Sequence, residues 1–111
     1  GGGLFIGARD HARFGLLIAR GGVWGERRLL SRQWVEAMLT PSATLASYGL
    51  LWWLNRGPAA RANVPETAAF ALGAGTNAIW LDPAQDLVAV LRWIDGASLD
   101  GFVDRMLAAR R

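Results

Sequence analysis

The chain has 111 residues, a net charge of +3 and a hydrophobic fraction of 52% that includes six Trp. This length suits one small domain or part of a larger one. All twelve positive residues are Arg, so a mechanism that needs a catalytic Lys is incomplete within this chain. The absence of Cys excludes disulfides and thiolate metal sites, and the single His excludes a His-rich metal cluster. We therefore expect no metal and no cofactor.

The charge distribution predicts neither a nucleic-acid partner nor a membrane span. The arginines are scattered among acidic residues, which is typical of solvated faces. The uncharged stretch 67–81 contains Gly, Thr and Asn and is too short to cross a bilayer. The chain begins with Gly rather than Met and lacks a signal pattern, so we expect an N-terminal part of the same protein to lie outside it. The sequence assigns no compartment.

Two helices are predicted in the first 41 residues. Apolar residues at helical spacing indicate a helix from Ala8 to Arg20, with Gly7 as N-cap and Gly21 as the C-terminal stop. We interpret His11, in its first turns, as a surface or capping residue. After a turn-rich connector, a second helix begins at the N-cap Ser31 and is closed by Pro41. Its predicted inner side consists of Trp34, Val35, Met38 and Leu39.

The sequence after residue 41 predicts a small antiparallel sheet followed by a terminal helix. Strands are expected over Tyr48–Asn55, Asn77–Leu81 and Leu87–Trp93, the last two joined by a turn at 82–85. The apolar run from Leu87 indicates a strand covered on both faces. The loop 56–67 either has a role at the rim of a site or is a surface insertion. The terminal helix has Ser98 as N-cap and an apolar face of Phe102, Val103, Met106 and Leu107.

These elements predict an α+β fold in which an antiparallel sheet of about three to four strands is covered by helices. Within it, Gly73-Ala74-Gly75 is unusual, because glycines weaken a strand. A dinucleotide site is excluded, since no third Gly and no helix follow. Two interpretations stay open. The glycines form a bulge or bend in a twisted sheet, or an edge strand beside a cleft offers a backbone N–H to an oxyanion.

Three segments in a particular order carry a family resemblance. They are GGGLFIGARDHARFGLLIARGGVWGERRLLSRQWVEAML, YGLLWWLN and FALGAGTNAIWLDPAQDLVAVLRW. In this order, from Gly1 to about Trp93, the chain resembles the C-terminal part of serine hydrolases of the β-lactamase and penicillin-binding-protein type. Within that group it is most similar to the branch of esterases and 6-aminohexanoate-dimer hydrolases. The resemblance implies that residues 1–111 are the C-terminal portion of one β-lactamase-like α/β sandwich domain.

The resemblance also implies roles for residues. In such hydrolases a Ser-x-x-Lys helix carries the nucleophile and its base, a Tyr- or Ser-containing loop assists, and an edge strand bearing Lys-Thr-Gly or a substitute borders the cleft. The corresponding segment here is 72–75. By this resemblance Ala74 donates its N–H to the oxyanion, while Gly73 and Gly75 provide clearance for the substrate.

The chain departs from the family pattern in an informative way. The Lys and the hydroxyl residue of Lys-Thr-Gly are absent, which favours an ester or amide substrate over recognition of a β-lactam carboxylate. Because the chain has no Lys, none of its serines belongs to a Ser-x-x-Lys motif; these serines are Ser31, Ser42, Ser47 and Ser98. We therefore expect no catalytic residue in this chain. The nucleophile, its Lys and the assisting loop are expected upstream of Gly1, and the 111 residues alone are expected to be inactive.

A different class of function is an alternative. The chain would then be a free-standing α+β interaction module that docks a partner through a Trp-rich surface, since aromatic residues are enriched at interfaces. Core packing is the simpler explanation for most of these side chains. The proposed surface consists of Trp52, Trp53, Trp80 and Trp93.

Overall fold

The fold combines three helices with antiparallel strands. The computed structural model describes residues 3–110, and within this range the helices are α1 (Ala8–Ala19), α2 (Arg32–Met38) and α3 (Leu99–Ala108). A small hairpin consists of β1 (Val23–Trp24) and β2 (Arg27–Arg28). The main sheet consists of β3 (Trp53–Leu54), β4 (Ala69–Gly73), β5 (Asn77–Asp82) and β6 (Leu87–Leu91). This arrangement confirms the predicted α+β class and its antiparallel sheet.

The main sheet has the strand order β3-β4-β5-β6, so each strand pairs with its neighbours in the chain. β4 and β5 form a hairpin in which Gly73 pairs with Asn77 and Ala69 pairs with Leu81. β5 and β6 are joined by a 3-10 turn, Pro83–Gln85, at the predicted position. The sheet is thus built from short local connections, which place the β4–β5 turn at one end of it.

Helices cover both faces of this sheet. Successive side chains of a strand point to opposite faces, and apolar side chains lie on both of them. Ile79 and Val88 pack with α1 and α2, whereas Phe70 and Trp80 pack with α3. The apolar run of β6 is likewise divided between the two faces, which confirms the strand covered on both sides. At Gly15, α1 lies so close to the sheet that an added Cβ would be 2.7 Å from Ile79 Cγ2.

The predicted helix starts are mostly confirmed. α1 follows Gly7, and the Ser31 hydroxyl accepts a hydrogen bond from the Trp34 N–H at 3.1 Å. Ser98 occupies the N-cap position of α3, but the prediction that its side chain caps the helix is wrong. A 3-10 turn leads directly into α3, so Ser98 already has helical dihedral angles, and its hydroxyl is bonded to Asp95 instead.

Two aromatic side chains predicted on inner helix faces are exposed. These are Trp34 in α2 and Phe102 in α3. The residue that follows each of them in the chain, Val35 in α2 and Val103 in α3, is buried. Consecutive helical residues are about 100° apart around the helix axis. Where Val35 or Val103 lies at the centre of the buried face, the residue before it therefore points toward solvent.

The predicted strand Tyr48–Asn55 is wrong over most of its length. Tyr48 forms a single bridge with Trp53, and the Gly49 N–H donates to the Trp52 carbonyl at 2.8 Å, so the chain turns back on itself. Leu51 has the left-handed φ of +65° that this turn requires. Only Trp53 and Leu54 join the sheet.

The loop 56–67 is held to the core by Asn55. The Asn55 Nδ2 donates to the Val64 carbonyl at 2.7 Å, and its Oδ1 accepts from the Arg61 N–H at 2.7 Å. Asn55 is buried, so these bonds satisfy an amide that would otherwise be costly to bury. The loop contains one 3-10 turn, Gly57–Ala59, in agreement with its lack of period in the sequence.

The predicted Trp-rich surface is only partly exposed. Trp52 and Trp80 are 2% and 0% exposed and lie in the two clusters that flank the sheet. Trp53 and Trp93 remain accessible. Core packing therefore accounts for half of the proposed surface.

In the described part of the chain, no helix has the length and apolar character needed to cross a bilayer.

Candidate functional site

The β4–β5 turn contains the residues that the sequence singled out. Gly73 is the last residue of β4, whereas Ala74 and Gly75 belong to the turn rather than to the predicted edge strand 72–75. Gly75 and Thr76 have φ values of +71° and +52°. Two successive left-handed residues reverse the chain, which explains why the strand stops at Gly73.

Beyond Phe70, the outer edge of β4 is open. β3 pairs with Ala69 and Phe70 only, so within residues 3–110 no strand pairs with Ala71, Leu72 or Gly73 from that side. Tyr48 and Leu51, in the turn before β3, border a hollow of about 290 Å³ beside this edge. β4 is therefore accessible along this edge at its turn end.

A groove of about 410 Å³ lies at the end of this open edge. We call it the Gly73 groove. It brings together residues from α1, from the β4–β5 turn and from the end of β6. Its lining consists of Gly3, Leu4, His11, Gly73, Ala74, Asn77, Arg92 and Trp93.

Ala74 lines this groove, and its N–H has no acceptor among the described residues. An added Cβ at Gly73 would meet only the Asn77 carbonyl oxygen, at 3.7 Å, so packing within the chain does not demand glycine there. At Gly75, in contrast, a Cβ would overlap the Trp93 ring. Glycine at position 75 is favoured by its φ of +71° and by this contact with the Trp93 ring, and Gly73 leaves space beside the Ala74 N–H.

Asn77 connects the turn to the end of β6. Its Nδ2 donates to the Ala74 carbonyl at 2.7 Å. Its Oδ1 accepts from the Arg92 Nε at 3.0 Å and from the Trp93 N–H at 3.2 Å. One amide therefore orients both walls of the groove. The prediction that β6 reaches Trp93 is wrong, because the strand ends at Leu91 and Trp93 has a left-handed φ of +55°.

His11 is a groove residue that the sequence interpretation missed. It lies in the first turn of α1 and borders both the Gly73 groove and the hollow beside Tyr48. Its Nδ1 is buried and has no hydrogen-bond partner among the described residues. The only available signal was that His11 is the sole His, and its distance from Ala74 in the sequence hides their proximity.

Two serine hydroxyls of this chain are bonded to the backbone away from the groove. Ser31 caps α2, and the Ser42 hydroxyl is bonded to the Leu45 backbone. Residues 3–110 also contain no group of three or more potential His, Cys, Asp or Glu metal ligands. In the groove, the Ala74 N–H and Arg92 can donate hydrogen bonds to a ligand, and His11 adds an imidazole to the same lining.

Comparison with known proteins does not assign a family. No protein-family model matches this sequence, and no curated protein matches it.

Proposed function

We propose that this chain supplies the edge strand and one oxyanion donor of a serine hydrolase that cleaves an ester or amide through an acyl-enzyme. The nucleophilic Ser and its Lys come from polypeptide outside these 111 residues. The observation that carries the proposal is that Ala74, whose N–H has no acceptor among the described residues, lines a groove at the open end of β4. The family resemblance of the segments 1–39, 48–55 and 70–93 supports it.

The proposed chemistry assigns the groove a single role. The Ser oxygen attacks the carbonyl carbon, its proton passes to the base, and the carbonyl oxygen becomes an oxyanion. The Ala74 N–H and a second backbone N–H from outside this chain donate to that oxygen. Such donors are most effective where charge develops in the transition state. Gly73 keeps the approach open, because its missing side chain leaves space beside the donor.

The coding sequence provides the first test. The reading frame upstream of Gly1 is expected to encode Ser-x-x-Lys, and the full product is expected to react with a fluorophosphonate at that Ser. A start codon directly before Gly1, preceded by an in-frame stop, would contradict the proposal. Labelling on Ser31, Ser42, Ser47 or Ser98 would contradict the assignment of the nucleophile.

Replacing Ala74 in the full product tests the donor. Ala74→Pro removes the N–H and is expected to lower kcat by about 10²–10³-fold, as for loss of one oxyanion donor. Ala74→Ser is the matched control, because it changes the side chain and keeps the N–H. Equal activities of the two variants, with unchanged thermal melting, would contradict the role of Ala74.

A measurement without substitution covers the case in which Ala74→Pro fails to fold. After phosphonylation of the nucleophile, a phosphonyl oxygen occupies the oxyanion position. The Ala74 amide proton, observed by NMR with ¹⁵N-Ala labelling, is then expected to move downfield because its hydrogen bond becomes charge-assisted. An unchanged Ala74 resonance would contradict the proposal.

A further inference from the structure

We propose that Asp95 is a modification site, at which the chain isomerises spontaneously to isoaspartate through a succinimide formed with Gly96. The dipeptide Asp-Gly occurs twice in the segment 95–101, as Asp95-Gly96 and as Asp100-Gly101. Gly favours this reaction because it has no side chain to block the approach of its nitrogen to the aspartyl carboxyl group. The structure distinguishes the two copies, and the first one meets the requirements of the reaction. The proposal is independent of the proposed hydrolase function.

The reaction uses only the chain and water. The Gly96 nitrogen attacks the Asp95 Cγ, an N–Cγ bond forms, and the N–H proton and the carboxyl OH leave as one molecule of water. Water then opens the five-membered imide at one of its two carbonyls. Opening at Cγ restores Asp, whereas opening at the former backbone carbonyl leaves the chain running through Cβ as isoaspartate. The product has the same mass as the starting chain, and nothing is oxidised or reduced.

The first argument is that the reacting groups at position 95 are accessible and weakly held. Asp95 and Gly96 are both exposed. The Gly96 N–H has no acceptor in the described part of the chain. Within residues 3–110 the Asp95 carboxylate forms no ion pair. The hydrogen bond that it accepts from the Ser98 hydroxyl is long, at 3.4 Å.

The second argument is that little of the fold must open. Asp95 has extended dihedral angles, φ −62° and ψ 129°, directly before the 3-10 turn Gly96–Ser98. The Asp95 ψ must rotate to bring the Gly96 nitrogen to the Asp95 Cγ. This rotation breaks the hydrogen bond from the Ser98 N–H to the Asp95 carbonyl, which is 2.9 Å long. Residues 95–98 are all exposed, so the opening is local and withdraws none of their side chains from the core.

The third argument is that the second copy of the dipeptide is protected. Asp100 and Gly101 lie in the first turn of α3, and the Asp100 carboxylate accepts from the Arg61 Nε at 2.6 Å. Rotation at Asp100 breaks this ion pair and the start of the helix. It also disturbs Leu99 and Val103, which are buried in the cluster between α3 and the sheet. The same two residues therefore have a much more constrained environment at this position.

Isoaspartate at position 95 changes the chain at two places. The carbonyl that accepts from the Ser98 N–H becomes a carboxylate beside the chain, so the 3-10 turn that leads into α3 loses its first hydrogen bond. Gly96 lies against the β4–β5 turn, since an added Cβ would be 3.5 Å from Thr76 Oγ1. The modification therefore loosens the start of α3 and alters the chain beside the turn that contains Ala74.

Incubation of the 111-residue chain at physiological temperature and pH, followed by peptide mapping, tests the proposal. Trypsin releases both dipeptides in one peptide, 93–105, and electron-transfer fragmentation assigns isoaspartate to a position within it. We expect isoaspartate to form about fivefold or more faster at Asp95 than at Asp100, because opening at Asp100 breaks an additional ion pair and hydrogen bond. In guanidinium chloride the two rates are expected to become similar, because only the shared dipeptide then matters. Equal rates in the folded chain, a ratio that guanidinium does not change, or no isoaspartate at Asp95 would overturn the proposal.

Variants separate the contribution of each dipeptide. Gly96→Ala is expected to slow the reaction at Asp95 several-fold, because the added methyl group blocks the approach of the nitrogen. The 3.5 Å contact of this methyl group with Thr76 is an ordinary one, so the fold accommodates it. Gly101→Ala makes the same change at the second copy and is expected to leave the rate at Asp95 unchanged.

Arg61→Gln tests the protection of the second copy. It removes the ion pair with Asp100 and is expected to raise the rate at Asp100 without changing the rate at Asp95. Equal slowing at Asp95 by Gly96→Ala and by Gly101→Ala would overturn the role of Gly96. If a variant does not fold, the comparison of the folded and denatured chain still decides.

Discussion

Leu51 has a backbone conformation that its side chain disfavours. Its φ is +65° and its side chain is 79% exposed, so no burial offsets the strain. A left-handed conformation costs an L-residue roughly 1–2 kcal/mol, and Asn tolerates it better than Leu. We expect Leu51→Asn to raise the free energy of unfolding by about 1 kcal/mol, measured by urea denaturation.

The neighbouring residue provides the control for this effect. Leu50 is also exposed but has no left-handed φ. Leu50→Asn makes the same chemical change without relief of strain and is expected to give no gain in stability. A gain of equal size in both variants would show that exposed apolar area, rather than the dihedral angle, is responsible.

At the scale of elements, the contact between α1 and the sheet depends on Gly15. A Cβ there would lie 2.7 Å from Ile79 Cγ2 and 2.8 Å from Val88 Cγ1. Ala favours a helix by about 1 kcal/mol over Gly, whereas overpacking a core costs about 1–3 kcal/mol. We expect Gly15→Ala to lower the free energy of unfolding by up to about 2 kcal/mol, since the contacting side chains of Ile79 and Val88 are packed between α1 and the sheet.

Gly101 in α3 is the matched control. A Cβ at this position would meet only an Arg105 side-chain nitrogen, at 3.7 Å. Gly101→Ala is therefore expected to raise the free energy of unfolding by about 0.5–1 kcal/mol through helix propensity alone. If Gly15→Ala also stabilises the protein, α1 does not pack on β5 and β6 as described.

At the scale of the whole molecule, the open edge of β4 is the expected site of self-association. Unpaired strand edges with apolar side chains attract other strands, and a charged side chain on the edge opposes this. Leu72, on the edge, is 42% exposed, and Leu29, beyond the small hairpin, is 52% exposed. We expect sedimentation velocity to show concentration-dependent association of the 111-residue chain that Leu72→Lys reduces more than Leu29→Lys does. Equal effects of the two variants would locate the association elsewhere.

Features set by neighbouring residues were predictable from the sequence. The Gly7 and Ser31 helix starts and the turn at Pro83 depend on contacts within a few residues. The α+β class follows from the order and period of the elements. The exposure of Trp34 and Phe102 was not predictable, because an adjacent residue packs equally well in a short amphipathic helix.

The candidate site was predictable only in part. The sequence by itself determined that glycines interrupt a hairpin at Gly73-Ala74-Gly75 and that no Lys is present. Only the tertiary structure decided that the strand edge is open beyond Phe70 and that His11, Ala74 and Arg92 line one groove. Turn and cap preferences act over a few residues of chain, whereas a groove forms from contacts between segments up to 86 positions apart. Those contacts depend on how all the elements pack together.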